Sequence, residues 1–214
     1  MVTGVDIMYN FKKQIADIGK KLADKGLSPG FSGNISVRFE DKILVTPSGY
    51  SLGELEADDI VVLDFDFNII EGDKKPSSES KMHALIYKKR PDLNALVHCH
   101  SPKASVFAVN GIPLVQPILA ENIFTLGDIP VAKYYLPSSE ELAQEVGSFF
   151  DVHDCVLMQN HGVIVGGKDL RTAFYKMDTV EYYAEVCILA NLTGKPCELS
   201  DEQKREIIEL RKRH

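Results

Sequence analysis

Helical and strand-like segments are interspersed along the whole chain, and this order constrains the fold more than any other feature. The first helix is predicted over residues 6–25, where apolar side chains recur every three or four residues until Gly26. Further helices are predicted over 78–91, 101–110, 138–150, 169–192 and 200–213, and strands over 35–39, 43–45, 60–63, 95–100, 155–159 and 163–165. Several strand pairs are joined by short turns. The sequence therefore predicts an α/β protein, a single domain over residues 1–214 built as a three-layer α/β/α sandwich with a mixed central sheet.

Composition and charge exclude several classes of protein. The 24 Lys and Arg residues against 31 Asp and Glu residues give a net charge of −7. This argues against nucleic acid as a partner, because binding to a phosphate backbone favours a basic face. Apolar stretches are only a few residues long, far below the ~20 residues of a membrane-spanning helix. A small anionic substrate stays possible, since it needs only a local site.

The cysteines and the N-terminal segment predict a reduced, cytoplasmic protein. No CxxC pair occurs among Cys99, Cys155, Cys187 and Cys197. The N-terminal segment has neither an apolar signal core nor a small-residue cleavage site. The cysteines are therefore expected to be small buried hydrophobic residues.

The segment His98-Cys99-His100 follows a buried strand and is the sharpest local feature. Side chains alternate faces along a strand, so His98 and His100 share one face while Cys99 points to the other. Two such imidazoles can hold one divalent metal. The alternative is a polar strand end with two solvated histidines, and Cys99 is expected to be a core residue in either case.

A third histidine ends another apolar strand, in the segment Asn160-His161-Gly162. The glycine lets the backbone approach a site closely. Alone, a strand-end histidine is more often structural. Together the two segments supply three imidazoles, the ligand number of a catalytic zinc site with an open position, and the metal and structural interpretations both remain open here.

The segment 75–79 places Ser77, Ser78 and Glu79 at a predicted helix start. Helix N-termini favour anions through free amide groups and the helix dipole, and serine hydroxyls suit a phosphate. Standing alone, the segment is better explained as an N-cap. Residues 32–36 and 46–49 form two more small, amide-rich turns. The three would form a phosphate cradle if they converged, which spacing does not show.

Other features have mainly structural interpretations. His83 lies four residues after Glu79 on the same helix face; it could be a fourth ligand, but a supporting role is favoured. His153 and His214 are expected at the surface, and the tyrosines at 182 and 183 are expected to pack within the long helix.

Two helix starts carry capping signals. Ser101 followed by Pro102 has N-cap and first-turn chemistry. The segment 138–141, with two serines and two glutamates, is predicted to form a capping box.

Five segments resemble, in order, the motifs of the class II aldolase family, whose members include L-fuculose-1-phosphate aldolase and L-ribulose-5-phosphate 4-epimerase. The segments are GNISVR (33–38), TPSG (46–49), PSSE (76–79), RPDLNALVHCHSP (90–102) and QNHG (159–162). The similarity runs from the first helix to about Ser200. Five ordered motifs make this resemblance specific.

The resemblance implies a three-layer α/β/α fold assembled as a cyclic homotetramer, with active sites at subunit interfaces. It implies one zinc ion per chain, bound by His98, His100 and His161. Glu79 would be the catalytic acid/base and would also contact the metal when substrate is absent. The implied phosphate-binding residues are Gly33, Asn34, Ser48, Gly49, Ser77 and Ser78.

The reaction that the resemblance implies is reversible cleavage of a ketose 1-phosphate, such as L-fuculose 1-phosphate, into dihydroxyacetone phosphate and an aldehyde. Zinc would act as a Lewis acid and stabilise the enediolate formed when the C3–C4 bond breaks. Glu79 would move the proton on and off carbon.

Three departures from the family pattern leave the aldehyde open. Phe31 stands where the fucose enzyme has a small hydroxylated residue. The tyrosine used there to protonate the aldehyde falls on or near Pro117, and the C-terminal tail lacks the tyrosine contributed by a neighbouring subunit. Tyr134, Tyr135 and Glu121 are candidate replacements.

Related activities and one non-enzymatic function remain as alternatives. Glutamate at position 79, where the epimerases carry aspartate, favours carbon–carbon cleavage over pentulose-5-phosphate 4-epimerisation. Phosphotetronate decarboxylases of the same superfamily share the metal and the enediolate. The head domain of adducin has the fold without catalysis, but a binding module has no need of three histidines and Glu79. The sequence therefore favours an enzyme.

Overall fold

A computed structural model describes residues 4–213 of the chain. Its helices are α1 (Gly4–Asp24), α2 (Ser80–Lys89), α3 (Pro102–Asn110), α4 (Ala120–Thr125), α5 (Glu140–Phe149), α6 (Leu170–Thr193) and α7 (Asp201–Arg211). Its strands are β1 (Asn34–Phe39), β2 (Lys42–Val45), β3 (Val61–Asp64), β4 (Ile69–Glu71), β5 (Ala95–Cys99), β6 (Val131–Ala132), β7 (Cys155–Met158) and β8 (Gly162–Gly167). Two short 3₁₀ turns, Leu52–Glu54 and Ala57–Asp59, separate β2 from β3.

The strands form one mixed sheet in the order β4-β3-β2-β1-β5-β8-β7-β6. Within the described residues, neighbouring strands are antiparallel except for the parallel pair β6 and β7. The mixed sheet predicted from the sequence is therefore confirmed. β1, β5 and β8 are adjacent near its middle, and the candidate site lies at one end of these three strands.

Two apolar cores cover opposite faces of the sheet. One core joins α1, α3 and α6 to strand residues that include Val97 and Cys99. The other joins α2 and α5 to strand residues that include Leu96 and Ile164. Because successive strand residues point to opposite faces, alternate residues of β5 enter different cores. This arrangement is the predicted three-layer α/β/α sandwich.

The alternation of β5 also places the first metal-ligand candidates. Leu96 lies on the α2 side, so His98 two residues later shares that side. Cys99 is fully buried in the opposite core beside Val97, as the sequence predicts. The strand thereby presents one histidine towards α2 and uses its cysteine for packing.

Element boundaries differ from the prediction where segments are short. α2 begins at Ser80, so Glu79 occupies its N-cap position rather than its first turn. The sequence did not predict β4, β6 or α4, which have 3, 2 and 6 residues. Segments of this length contain too few residues to show a hydrophobic period.

The capping box predicted at residues 138–141 is wrong, whereas the N-cap predicted at Ser101 is confirmed in position. At α5 the N-cap is Ser139, whose side chain accepts from the N–H of Leu142. The apolar side chain of Leu142 cannot return the second hydrogen bond of a capping box. At α3 the N-cap residue is Ser101, as predicted, but Glu181 accepts the amide protons instead of the serine side chain.

No helix within residues 4–213 combines the length and the apolar character needed to cross a membrane.

Candidate active site

Three histidines from two strand ends meet at one point. His98 lies inside β5, and His100 follows one residue after the strand ends at Cys99. His161 lies in the turn between β7 and β8, and β8 pairs with β5 through Val163 and Cys99. The ligand atoms of the three imidazoles lie within 4.8 Å of one another. The tertiary pairing of β5 with β8 therefore assembles the predicted cluster.

The rings are packed closely and evenly. Their centroids are separated by 4.9 Å between His98 and His161, and by 5.0 Å between His100 and each of the other two. Nε2 of His98 and Nε2 of His100 are 3.2 Å apart. The nitrogens thus face a common centre rather than solvent.

A backbone carbonyl fixes the tautomer of His98. Nδ1 of His98 lies 2.9 Å from the carbonyl oxygen of Val163, which can only accept, so Nδ1 carries the proton and Nε2 keeps its lone pair. Burial disfavours the charged ring and lowers the pKa of His98 to about 4. Burial also lowers the pKa of His100, and the neighbouring His161 adds to the effect. His98 and His100 are therefore neutral at pH 7, the form that binds metals.

Glu79 closes the cluster from the start of α2. Its Oε2 is 3.4 Å from Nε2 of His98, and its Oε1 is 3.4 Å from Nε2 of His161. Asn34 donates from Nδ2 to Oε2 at 2.9 Å. Burial, the largest single influence, opposes ionisation of Glu79, but the two imidazoles and the Asn34 amide together outweigh it and hold the pKa of Glu79 below its ordinary value. The carboxylate is therefore ionised at pH 7.

These four side chains fit a divalent metal such as zinc. A tetrahedral site with Zn–N bonds of about 2.0–2.1 Å has ligand–ligand edges of about 3.3–3.4 Å. The three distances above, 3.2, 3.4 and 3.4 Å, are close to that value. Oε1 of Glu79 is buried and has no hydrogen-bond partner among residues 4–213. A cation at the centre would satisfy this oxygen and the inward-facing imidazole lone pairs together.

Two glycines make room for the cluster. A Cβ at Gly162 would lie 2.5 Å from the carbonyl oxygen of Cys99 and 2.9 Å from Cδ2 of His100. A Cβ at Gly33 would lie 2.6 Å from the carbonyl oxygen of His98, and Gly33 has φ +80°. Both positions require glycine, because a neighbouring backbone carbonyl lies too close for a side chain to fit.

The three amide-rich segments converge beside Glu79, as a phosphate cradle requires. Ser48 donates its N–H to the carbonyl oxygen of Lys75 at 2.8 Å, and Ser77 donates to that of Thr46 at 3.1 Å. Thr46 is in turn joined to Ile35, since its N–H donates to the Ile35 carbonyl and its Oγ1 accepts the Ile35 N–H, each at 3.1 Å. These bonds hold three places together: the segment after β2, the start of β1 and the segment before α2.

The same bonds limit what the cradle can offer. The backbone N–H groups of Ser48 and Ser77 are already used within the cradle, which leaves their hydroxyl protons for a ligand, although the Ser77 hydroxyl oxygen also accepts the N–H of Glu79 at 3.3 Å. Ser48 is half-buried, Ser77 is nearly buried, and Gly49 is exposed. We therefore expect serine hydroxyls and the N-terminus of α2 to bind a phosphate, rather than every backbone amide of the three segments.

Asn34 and Ser78 have partners that the sequence did not predict. The Asn34 amide group binds Glu79, which ties a predicted phosphate ligand to the predicted acid/base. The exposed Ser78 hydroxyl lies 2.7 Å from the hydroxyl of Ser138, at the start of the α5 segment. Ser138 has φ +68°, a left-handed conformation that is uncommon for residues other than glycine.

His83 has the supporting role that the sequence favours. It is fully buried, and its Nδ1 lies 2.7 Å from Oγ of Ser36, which also contacts the hydroxyl of Tyr87 at 2.8 Å. Burial lowers the pKa of His83 to about 3. This network joins α2 to β1 directly behind Glu79. The sequence missed Ser36 and Tyr87, although Tyr87 lies four residues after His83 on the same helix face.

Predictions for the remaining histidines and tyrosines have mixed outcomes. His153 is half-buried rather than at the surface, because its Nδ1 donates to the carbonyl oxygen of Asp128 at 2.9 Å. His214 lies outside the described residues. Tyr183 packs in the core with 3% exposure, whereas the packing predicted for Tyr182 is wrong, since it is 56% exposed.

The candidate replacements for the aldehyde-protonating tyrosine lie in different places. The backbone N–H of Tyr134 donates to Oε1 of Gln159 at 3.2 Å, and Gln159 lies two residues before His161. Tyr134 and Tyr135 are 50% and 37% exposed. Glu121 instead lines a cavity between α4 and α6 with Asp178. Of the three, only Tyr134 is joined by a hydrogen bond to the segment that carries the third histidine, whereas Tyr135 lines another cavity beside α5.

Comparison with known proteins identifies the family. Residues 13–188 match the family described as Class II Aldolase and Adducin N-terminal domain, a span that includes the histidine cluster, Glu79 and the cradle. The chain belongs to this family. It is accordingly an enzyme of the lyase class, and the class II aldolase family is metal-dependent.

The class II aldolase relatives span nearly the whole chain but differ in substrate. The chain is 39% identical over 184 residues to L-fuculose phosphate aldolase of Methanocaldococcus jannaschii, covering 86% of this chain and 99% of the relative. It is 34% identical over 205 residues to 5-deoxy-D-ribulose 1-phosphate aldolase of Bacillus thuringiensis, covering 94% and 95%. It is 33% identical over 180 residues to 3-oxo-tetronate 4-phosphate decarboxylase of Haemophilus influenzae, covering 82% and 85%.

A solved class II aldolase structure has the same fold. An L-fuculose 1-phosphate aldolase superposes with a TM-score of 0.88 at 35% sequence identity, covering 94% of this chain and 95% of that chain. The similarity confirms the predicted fold class.

Proposed function

We propose that the chain is a zinc-dependent aldolase that reversibly cleaves a ketose 1-phosphate, such as L-fuculose 1-phosphate, into dihydroxyacetone phosphate and an aldehyde. The observation that carries this proposal is the convergence of three imidazoles beside a buried, ionised carboxylate. His98 lies 3.2 Å from His100, and Glu79 lies 3.4 Å from both His98 and His161. Two of the relatives described above are named 5-deoxy-D-ribulose 1-phosphate aldolase and L-fuculose phosphate aldolase, which supports the reaction class.

His98, His100 and His161 would hold one zinc ion per chain, with Glu79 contacting it when no substrate is bound. Bound zinc would supply a Lewis acid that withdraws electron density from the carbonyl and neighbouring hydroxyl oxygens of the substrate. The Val163 carbonyl contributes by holding His98 in the tautomer whose Nε2 is free to ligate.

Glu79 would carry the proton between solvent and substrate carbon. In cleavage the C4 hydroxyl gives its proton to solvent, the C3–C4 bond breaks with its electrons left on C3, and Glu79, after taking up a proton from solvent, delivers it to C3. In the reverse direction ionised Glu79 removes that C3 proton as a general base. The low pKa of Glu79 keeps the base form available.

The phosphate group would bind in the cradle formed by Gly33, Asn34, Ser48, Gly49, Ser77 and Ser78. Hydroxyls of the serines would donate to its oxygens. The cradle lies at the start of α2, where the helix dipole favours an anion. Substrates without a phosphate would lose these contacts.

We also propose a homotetramer located in the cytoplasm. Exposed apolar side chains on and after α3, among them Val109, Ile112 and Val115, are 41% to 54% exposed and offer surface for contact between subunits. The four cysteines, all within residues 4–213, are unpaired, which suits a reducing compartment. Light scattering on the purified protein tests the assembly.

The relative named as a decarboxylase motivates a second candidate activity, and one experiment separates the two. Zinc-loaded protein is incubated with dihydroxyacetone phosphate and a panel of two- to four-carbon aldehydes. A new ketose 1-phosphate supports the aldolase. Release of carbon dioxide from 3-oxo-tetronate 4-phosphate without any aldol product would replace it by the decarboxylase. Interconversion of pentulose 5-phosphates alone would replace it by the epimerase.

A further inference from the structure

Glu181 on α6 is a buried carboxylate that holds the start of α3. Its side chain is 7% exposed. Oε1 accepts the N–H of Lys103 at 3.0 Å, and Oε2 accepts the N–H groups of Lys103 and Ala104 at 3.1 and 3.0 Å. These are amides of the first helical turn, which need an acceptor from outside the helix.

The side chain at the N-cap of α3, the usual acceptor for these amides, does not bind them. Ser101 occupies the N-cap, yet its buried hydroxyl has no hydrogen-bond partner in the described part of the chain. Glu181, 78 residues from Lys103 in sequence, replaces it. The positive end of the α3 dipole and the Lys103 ammonium group, 3.5 Å away, offset the buried charge. The start of α3 is thus bound to α6 by charge-assisted bonds.

This cap acts next to a metal ligand. His100 belongs to neither element, since β5 ends at Cys99 and α3 begins at Pro102. Its backbone is positioned on one side by Cys99, which pairs with Val163, and on the other by the start of α3. A displacement of that helix start would therefore move the His100 imidazole relative to the other two.

We propose that Glu181 is a positioning residue for the metal site, because its cap on α3 fixes the place from which His100 presents its imidazole. The inference rests on the proposed metal site. It gives α6, which carries none of the proposed metal ligands, an indirect role in metal binding.

The test uses the full-length protein, stripped of metal and reloaded. Chelator competition measures the affinity for Zn²⁺, and the visible absorption of the Co²⁺-substituted protein reports the ligand geometry. Glu181→Ala should raise the dissociation constant for Zn²⁺ at least about tenfold, the effect expected when a residue that orients a metal ligand is removed. It should also shift the Co²⁺ spectrum towards that of His100→Ala.

Two controls separate positioning from general weakening. Glu185→Gln removes another carboxylate from α6, one that lies 3.7 Å from the Lys103 ammonium group but does not bind the α3 amides. Leu22→Ala lowers the melting temperature through a fully buried residue of α1. Both should keep the wild-type Co²⁺ spectrum and Zn²⁺ affinity.

Unchanged Zn²⁺ affinity and Co²⁺ spectrum in folded Glu181→Ala would overturn the proposal. If that variant does not fold, Glu181→Gln takes its place, since it keeps one oxygen acceptor but loses the charge. A rise of at least about threefold in its dissociation constant supports the proposal, and no change overturns it. If His100→Ala also kept full Zn²⁺ affinity, the proposed metal site would fail, which is a different result from failure at Glu181 alone.

Discussion

Asn34 donates a hydrogen bond from Nδ2 to Oε2 of Glu79 at 2.9 Å, and both residues are almost fully buried. The two belong to different predicted functions, phosphate binding for Asn34 and proton transfer for Glu79. Their contact connects the phosphate cradle to the proposed base. A substitution in one function should therefore affect the other.

Asn34→Ala should lower kcat as well as raise KM for a phosphorylated substrate. A hydrogen bond to a charged group contributes about 1.5–3 kcal/mol, which corresponds to roughly ten- to a hundredfold. Ser48→Ala is the matched control and should raise KM with kcat nearly unchanged, whereas Ser77 is a poor control because its hydroxyl accepts the N–H of Glu79. Steady-state kinetics check both. An Asn34→Ala variant with wild-type kcat would show that its contact with Glu79 has no part in the chemistry.

Glu79→Gln should leave a folded protein with nearly unchanged melting temperature, slightly weaker metal binding and kcat lowered at least about a hundredfold. The amide keeps the shape but cannot accept a proton. Exchange of the C3 proton of dihydroxyacetone phosphate with solvent deuterium measures this step without any aldehyde. Glu121→Gln, at an exposed carboxylate lining a different cavity, should keep wild-type exchange. Wild-type exchange in the Glu79→Gln variant would exclude Glu79 from proton transfer.

Replacement of His98, His100 or His161 by Ala should remove the metal and the activity while the chain stays folded. Each contributes one of the inward-facing nitrogens, and three protein ligands are the minimum of a catalytic zinc site. Elemental analysis of dialysed protein measures metal per chain. His153→Ala is the control, because its Nδ1 binds the Asp128 carbonyl elsewhere. Stoichiometric metal in any of the three variants would contradict the assignment.

Gly162→Ala should destabilise the protein by about 1–3 kcal/mol, the usual cost of overpacking. The new Cβ would lie 2.5 Å from the Cys99 carbonyl oxygen and 2.9 Å from the His100 ring, so metal affinity should fall as well. Denaturant unfolding and metal titration measure the two effects. Gly194→Ala is the control, since no heavy atom of a residue other than its immediate chain neighbours would lie within 4 Å of its Cβ in the described part of the chain. Equal stability of both variants would argue against the crowding.

Asp154→Asn should lower the free energy of unfolding at pH 7 by about 1.5–3 kcal/mol, the range for hydrogen bonds to charged groups. Asp154 accepts from Arg90 at 2.8 Å, Lys176 at 2.7 Å and Arg211 at 3.2 Å. Asp151 is a more exposed carboxylate that lies 3.4 Å from Lys89, so Asp151→Asn should lower the free energy of unfolding by less than about 1 kcal/mol. Denaturant unfolding at pH 7 compares the two.

The same Asp154 variant should also show a defined pH dependence. Burial opposes ionisation of Asp154, but Lys176 and Arg90 outweigh it and hold its pKa below the ordinary value. A carboxyl with a lowered folded-state pKa stabilises fully above its unfolded value of about 3.9 and loses that stability as the pH falls through the folded value. The difference from wild type should therefore be constant above about pH 5 and shrink below about pH 3.9. A difference that persisted unchanged in acid would contradict the ionic origin.

Several features of the site could be predicted because they are local. The spacing of His98 and His100 places them on one face of a strand whatever surrounds it, and Cys99 follows to the other face. The glycine after His161 signals a close backbone approach, which the Cys99 carbonyl supplies. The three-layer fold follows likewise from the alternation of long helices with apolar strands. Boundaries near residue 78 shifted by two positions, because N-cap geometry depends on what the cap residue contacts.

By itself, then, the sequence identified the three histidines, the carboxylate at position 79 and the layered α/β fold, because each depends on periodicity or on motifs a few residues long. Only the tertiary structure decided how they are connected. Asn34 and Glu79 are 45 residues apart, and Glu181 and Lys103 are 78 apart. No local period encodes such contacts, since they arise only when β1, β5 and β8 align and α6 packs beneath them. The convergence of the phosphate cradle, the low pKa of Glu79 and the cap on α3 are consequences of that packing.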